Sequence, residues 1–80
     1  MIYLSTEPED LNTAGRTLHL ALRLLGGEHI RTSEAAKQYR VSRQTAYRNL
    51  SSLSLLLPID IDPSNRCWRL LTEAELAGGE

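Results

Sequence analysis

Cysteine is nearly absent from this chain. Cys67 stands alone, which excludes an intramolecular disulfide and any CxxC pair for zinc. His19 and His29 are single and far from Cys67 in sequence, without the paired spacing that metal ligands need. No metal and no cofactor are expected. No apolar run approaches the ~20 residues of a membrane span, and the first residues carry no signal-peptide pattern, so a cytoplasmic protein is the expectation. There is no nucleophile–base pairing, no glycine-rich phosphate loop and no carboxylate pair in a candidate cleft. The chain does not read as an enzyme. Internal repeats and low-complexity segments are lacking too.

What is present is enough for one small domain: 80 residues, of which 41% are apolar. The net charge of −1 hides an asymmetry. All nine basic residues lie between Arg16 and Arg69, while residues 11–72 hold only four acids, Glu28, Glu34, Asp60 and Asp62. The other six acids sit in the ends: Glu7, Glu9, Asp10, Glu73, Glu75 and Glu80. A polyanion senses local field within a Debye length of roughly 8–10 Å, not net charge. The window VSRQTAYRNL, residues 41–50, has two arginines and no acid at all.

Residues 1–10 open with Met1-Ile2-Tyr3-Leu4, which could form a short strand before a polar connection. Asn12 or Thr13 can cap a helix that runs to about Leu25 and stops at Gly26-Gly27. Leu18, Ala21, Leu22 and Leu25 fall on one face of it, and Leu20 and Leu24 lie off that stripe. A second helix starts near Thr32-Ser33, with either hydroxyl as its cap, turns Ala35, Ala36 and Tyr39 inward, and ends at Arg40. Ser42 caps a third helix from Arg43 to about Leu53, whose inner positions are Ala46, Leu50 and Leu53. Alanines at 35, 36 and 46 let the two short helices cross closely. After Pro58 the period changes to two. Ile59 and Ile61 alternate with Asp60, a Pro-Ser-Asn turn follows, and Trp68 and Leu70 share the inner face of a second run: a β-hairpin. Residues 11–72 thus make the domain, and 73–80 an acidic tail that frays or forms a single turn.

With LLGGEHIRTSEAAKQYRVSRQTAYRNLSSL followed by LPIDIDPSNRCWRL, the chain resembles the winged helix-turn-helix family, most closely the DNA-binding domains that open DeoR-type and WYL-domain bacterial regulators. The resemblance implies an α+β fold, three helices followed by a two-stranded wing, and a third helix that enters the major groove of double-stranded DNA.

Which side of that helix faces outward follows from about 100° per residue. Gln44, Arg48, Ser51 and Ser52 lie opposite Ala46, Leu50 and Leu53, with Arg43 in the exposed first turn. Arginine can grip guanine and glutamine adenine, each with two hydrogen bonds, so Arg43, Gln44 and Arg48 are the expected base contacts. Ser42, Thr45 and Tyr47 have hydroxyls suited to phosphate, with Tyr47 equally able to pack its ring on the hairpin; Lys37 and, more weakly, Arg31 are further phosphate candidates. On the wing, Asn65 and Arg66 at the tip and Arg69 on the strand are expected near the flank, opposed by Asp60 and Asp62.

The expected function is sequence-specific DNA binding, as a small transcriptional repressor acting by operator occupancy. Leu20, Leu24 and several of Leu53-Ser54-Leu55-Leu56-Leu57 exceed what one small core needs, so a homodimer is expected. The alternative is a winged-helix module that binds a protein partner, since a fold does not set its function.

Overall fold

The structure, a computed structural model, describes residues 12–77; the expected strand at Met1–Leu4 lies outside them. It is a small α+β domain with four helices and a three-stranded antiparallel sheet among the described residues. Its elements in chain order are α1 (Thr13–Leu25), β1 (Ile30–Arg31), α2 (Thr32–Tyr39), α3 (Arg43–Leu53), β2 (Ile59–Asp62), β3 (Cys67–Leu70) and α4 (Glu73–Leu76).

Each helix boundary has a local cause. Asn12 accepts the Gly15 amide at 2.8 Å and so caps α1. At the other end Gly27, with φ +95°, lets the Glu28 amide reach the Arg23 carbonyl and its own amide reach that of Leu24, both at 3.0 Å. Those two bonds satisfy carbonyls the helix would leave open, and the conformation suits glycine. Arg40 ends α2 in the same left-handed region, φ 56°, although it carries a side chain. The chain then turns through Val41, which packs on the core, to Ser42, whose hydroxyl accepts the Thr45 amide at 3.0 Å and starts α3.

The start of α2 departs from the expectation. Arg31 holds the cap position and offers no side-chain bond there. The Thr32 hydroxyl instead accepts the Trp68 indole N–H at 3.0 Å, because a buried indole donor needs an acceptor and Thr32 lies beside it.

The hairpin gains a third strand. β1 pairs with β3 in register Ile30↔Trp68 and Arg31↔Cys67, and β2 lies on the other side of β3 with Ile61↔Trp68. Central β3 therefore has both edges covered, and Ile30, Ile59 and Trp68 face the helices.

The core is Leu20 and Leu24 of α1, Ala35, Ala36 and Tyr39 of α2, Ala46, Leu50 and Leu53 of α3, and these three sheet residues. This corrects two readings of α1. Leu20 and Leu24 are fully buried, not surplus, whereas Leu18, Leu22 and Leu25 are 61%, 60% and 51% exposed. Leu53 is likewise core, while Leu55 and Leu56 project from the turn after α3. Two opposite apolar faces on one helix give periodicity no means of choosing; the core took the face that also carries Arg16. That guanidinium, 8% exposed, donates from Nε to Asn49 Oδ1 at 2.7 Å and joins α1 to α3 across the interior. His19 is half-buried, with Nδ1 hydrogen-bonded to the hydroxyl of buried Tyr39.

Candidate functional site

α3 turns Ala46, Asn49, Leu50 and Leu53 inward, so Gln44 and Arg48 are held outward on a rigid helix, as their spacing requires. Arg43 is exposed in the first turn of α3. The Ser42 hydroxyl donates to Thr45 Oγ1 at 2.9 Å while accepting the Thr45 amide, so these two hydroxyl side chains brace the helix start. Tyr47 packs on the hairpin, one of the two roles its position allows. Its ring tilts against Trp68, centroids 5.8 Å apart, and it remains 49% exposed.

Facing this end of α3 across a gap is the β2–β3 turn. Asp62 accepts the Ser64 amide at 2.9 Å and the Ser64 hydroxyl at 2.7 Å. Its carbonyl accepts the Arg66 amide at 2.6 Å, and Asn65 Oδ1 accepts the Cys67 amide at 3.0 Å. Arg66 sits at φ 59° with its side chain exposed. Arg31 of β1 reaches over and donates from Nη2 to the Asn65 carbonyl at 3.1 Å, tying the turn to the sheet edge.

Between these parts runs an open cleft of about 1060 Å³. Arg31, Arg43 and Arg66, from three separate elements, line it together with Gln44, Tyr47 and Asn65, and none of its lining residues is Asp or Glu. The structure thus brings together six residues named from the sequence, Arg31, Arg43, Gln44, Tyr47, Asn65 and Arg66. Arg48 stands on the exposed face of α3 beside the cleft, not in it, and Ser42 and Thr45 lie at the helix start. Lys37 is exposed on the last turn of α2 and does not line the cleft.

Arg69 is placed otherwise. It forms ion pairs with Asp62, at 3.3 Å, and with Glu75 of α4. Glu75 also accepts the Thr72 amide while Thr72 accepts the Glu75 amide, a reciprocal cap that starts α4, and the Arg69 bond ties that helix to β3. The Arg69 bond, then the Thr72 amide, hold the Glu75 carboxyl down at about 2. Hydrogen bonds from Ser64, then the bond and charge of Arg69, also lower Asp62. One of the two acids expected to oppose a polyanion on this hairpin is therefore a turn-forming group with a cation beside it. Asp60 is exposed and bonds its neighbouring Ile61 amide at 2.7 Å.

Arg31 and Asn49 both do more in the fold than was expected of them from the sequence. A two-residue strand has no alternation to detect, so nothing marked Arg31 as the link between sheet and turn. Asn49 had a signal: it lies on the same wheel sector as Ala46 and Leu53. Acid-free, cationic and concave, the cleft suits an extended polyanion more than an apolar ligand. No helix among the described residues is long and apolar enough to cross a membrane. Compared with known proteins, the chain matches no family model, no curated protein and no solved structure at a significant level.

Proposed function

We propose that this domain is a winged helix-turn-helix module that binds double-stranded DNA sequence-specifically and acts as a small transcriptional repressor by occupying its operator. In this reading α2 and α3 are the helix pair, α3 enters the major groove, and the β2–β3 turn is the wing on its flank. The observation that carries it is the cleft: arginines from β1, α3 and the turn converge on a concave surface that includes no carboxylate. Phosphates fit such a surface because each guanidinium presents several N–H donors in a fork. Arg43, Gln44 and Arg48 then supply base-edge contacts from the exposed positions of α3, and Tyr47, Asn65 and Arg66 hold the backbone on either side. The wide groove, about 12 Å across, admits one helix of this kind.

The test is selection of binding sites from random-sequence duplex DNA at physiological salt. Enrichment of a defined motif supports the proposal. Retention without enrichment leaves only backbone binding, which removes the sequence-reading role of Arg43, Gln44 and Arg48. No retention overturns DNA binding and favours the protein-interaction module.

A further inference from the structure

Arg16 is a cation enclosed in the core at 8% exposure, and the arginine cleft does not use it. Its guanidinium is held by α1 at one end and by α3 at the other. Nη2 donates to Thr13 Oγ1 of its own helix at 3.2 Å, and Nε donates to Asn49 Oδ1 at 2.7 Å. α1 is itself fixed by Leu20 and Leu24, both wholly enclosed. Among the residues that α3 buries, Asn49 is the polar one, and it directly follows Arg48 in the chain.

Such a pair is a poor way to stabilise a fold. Taking a guanidinium out of water carries a large penalty, and apolar residues of similar shape at both positions are often as stable or more so. What an apolar contact lacks is direction. The other buried residues of α3 are Ala46, Leu50 and Leu53, and the angles at which helices pack through such side chains scatter by about 15–20°. A charge-assisted N–H···O bond in a low-dielectric interior is strong and weakens steeply off its line. It holds one rotational setting where leucines alone allow several.

We infer that the Arg16–Asn49 bond is a pin that sets the rotation of α3 about its own axis, which makes Asn49 a positioning residue for sequence readout. Arg43, Gln44 and Arg48 all lie within two helical turns of Asn49. Turning α3 by about 10° carries a side-chain tip about 6 Å from the axis through about 1 Å. That exceeds the whole range of a good N–H···O distance, roughly 2.7–3.2 Å. Base-edge contacts that need two bonds at once are then lost. Arg31 and Arg66 stand on the sheet and its turn, so they keep their hold on phosphate. The pin bears on which sequence is bound more than on whether a polyanion is bound. Its effect on recognition rests on the proposed DNA binding, whereas the rotational setting belongs to the free protein. Tyr47 reports that setting without any ligand. It moves with α3, and its ring lies 5.8 Å from that of Trp68, the one tryptophan of the chain.

The test replaces both partners, Arg16→Met together with Asn49→Leu, leucine keeping the branching of asparagine and methionine the reach of the arginine stem. The double variant should unfold at much the same denaturant concentration as the parent. Its near-ultraviolet circular dichroism in the tryptophan band should differ from the parent's without ligand. Discrimination between a duplex selected by the parent and its single-base variants should fall about 10-fold, with affinity for unselected duplex unchanged. Asn49→Asp, which keeps the acceptor oxygen, should retain both the Trp68 band and the discrimination. An unaltered band in the folded double variant, intact discrimination despite an altered band, or loss of either property in Asn49→Asp would each overturn the proposal. Should the double variant fail to fold, Asn49→Ser, which withdraws the acceptor and leaves Arg16 in place, is read in the same two ways. If the parent selects no motif, the DNA-binding reading fails by itself and the Trp68 band alone decides the pin.

Discussion

α1 and α3 pack on one another through the same core, yet their outer faces could hardly differ more. α3 buries Ala46, Leu50 and Leu53 and shows solvent two arginines, a glutamine and serines. α1 buries Leu20 and Leu24 and shows solvent three leucines. In so small a domain one stripe per helix fills the core, so the remaining face is free to carry something else. A cationic, acid-free face fits a charged polymer, and an apolar face fits another apolar face. Two neighbouring helices therefore show solvent two kinds of surface, one cationic and one apolar.

Truncating one leucine from each face of α1 should separate the two faces by the largest margin. Leu24→Ala should cost about 2–5 kcal/mol of unfolding free energy, since Leu24 is fully enclosed. Leu22→Ala should stay within about 0.5 kcal/mol. Denaturant titration at low protein concentration measures both, and equal costs would mean that the two faces of α1 are not distinguished as described.

On α3 the outer face should matter for binding and not for folding. Arg48→Ala should weaken binding to a selected DNA site by roughly 1–3 kcal/mol and relax preference at the position it reads, with an unchanged unfolding midpoint. Direct titration against the selected site and single-base variants measures this; a uniform loss across all variants would make Arg48 a phosphate contact. Ser42→Ala separates structure from recognition at the helix start. Loss of the cap should lower stability by about 1 kcal/mol, read by thermal or chemical unfolding, and no loss would mean that Thr45 and the following turn hold the helix end by themselves.

The smallest effect is expected at the α4 latch, which lies away from both faces. Glu75 is ordinarily a group of pKa 4.5 and is held at about 2 by Arg69 and Thr72. A carboxyl depressed in the folded state favours folding above its unfolded pKa. That contribution is fully present above about 4.5 and fades as pH falls toward 2. Replacing Glu75 by glutamine should flatten the stability profile across that window and leave it nearly unchanged at neutral pH apart from loss of the ion pair. Fully exposed groups of this kind contribute little, so a large change at neutral pH would mean that α4 does more than rest on β3.

The sequence marked those parts of the molecule whose causes are local. Asn12, Gly27 and Ser42 act on amides and carbonyls a few residues away, so the ends of α1 and the start of α3 were readable from the chain. The outward face of α3 was readable too, because only one of its sides is apolar. The face of α1 was not, since two leucine stripes satisfied the same period and a helix wheel cannot say which neighbour lies where. The cleft was half readable. Arg43 and Gln44 followed from helix geometry, while Arg31 became part of it only when β1 paired with β3 across some 36 residues of chain. Arg69 went the other way: alternation put it on the side opposite Trp68 and Leu70, and Glu75 on α4 took it.

The sequence alone was enough for both ends of α1 and the start of α3, for the hairpin of residues 59–70, and for the cationic outer side of α3. Each of these is decided within a few residues by hydrogen bonding, φ preference or a single unambiguous period. The tertiary structure decided which leucines of α1 are enclosed, that Trp68 bonds Thr32, that Arg16 meets Asn49, and that three arginines share one cleft. Those depend on which surfaces exclude water from one another, and only the assembled elements settle that.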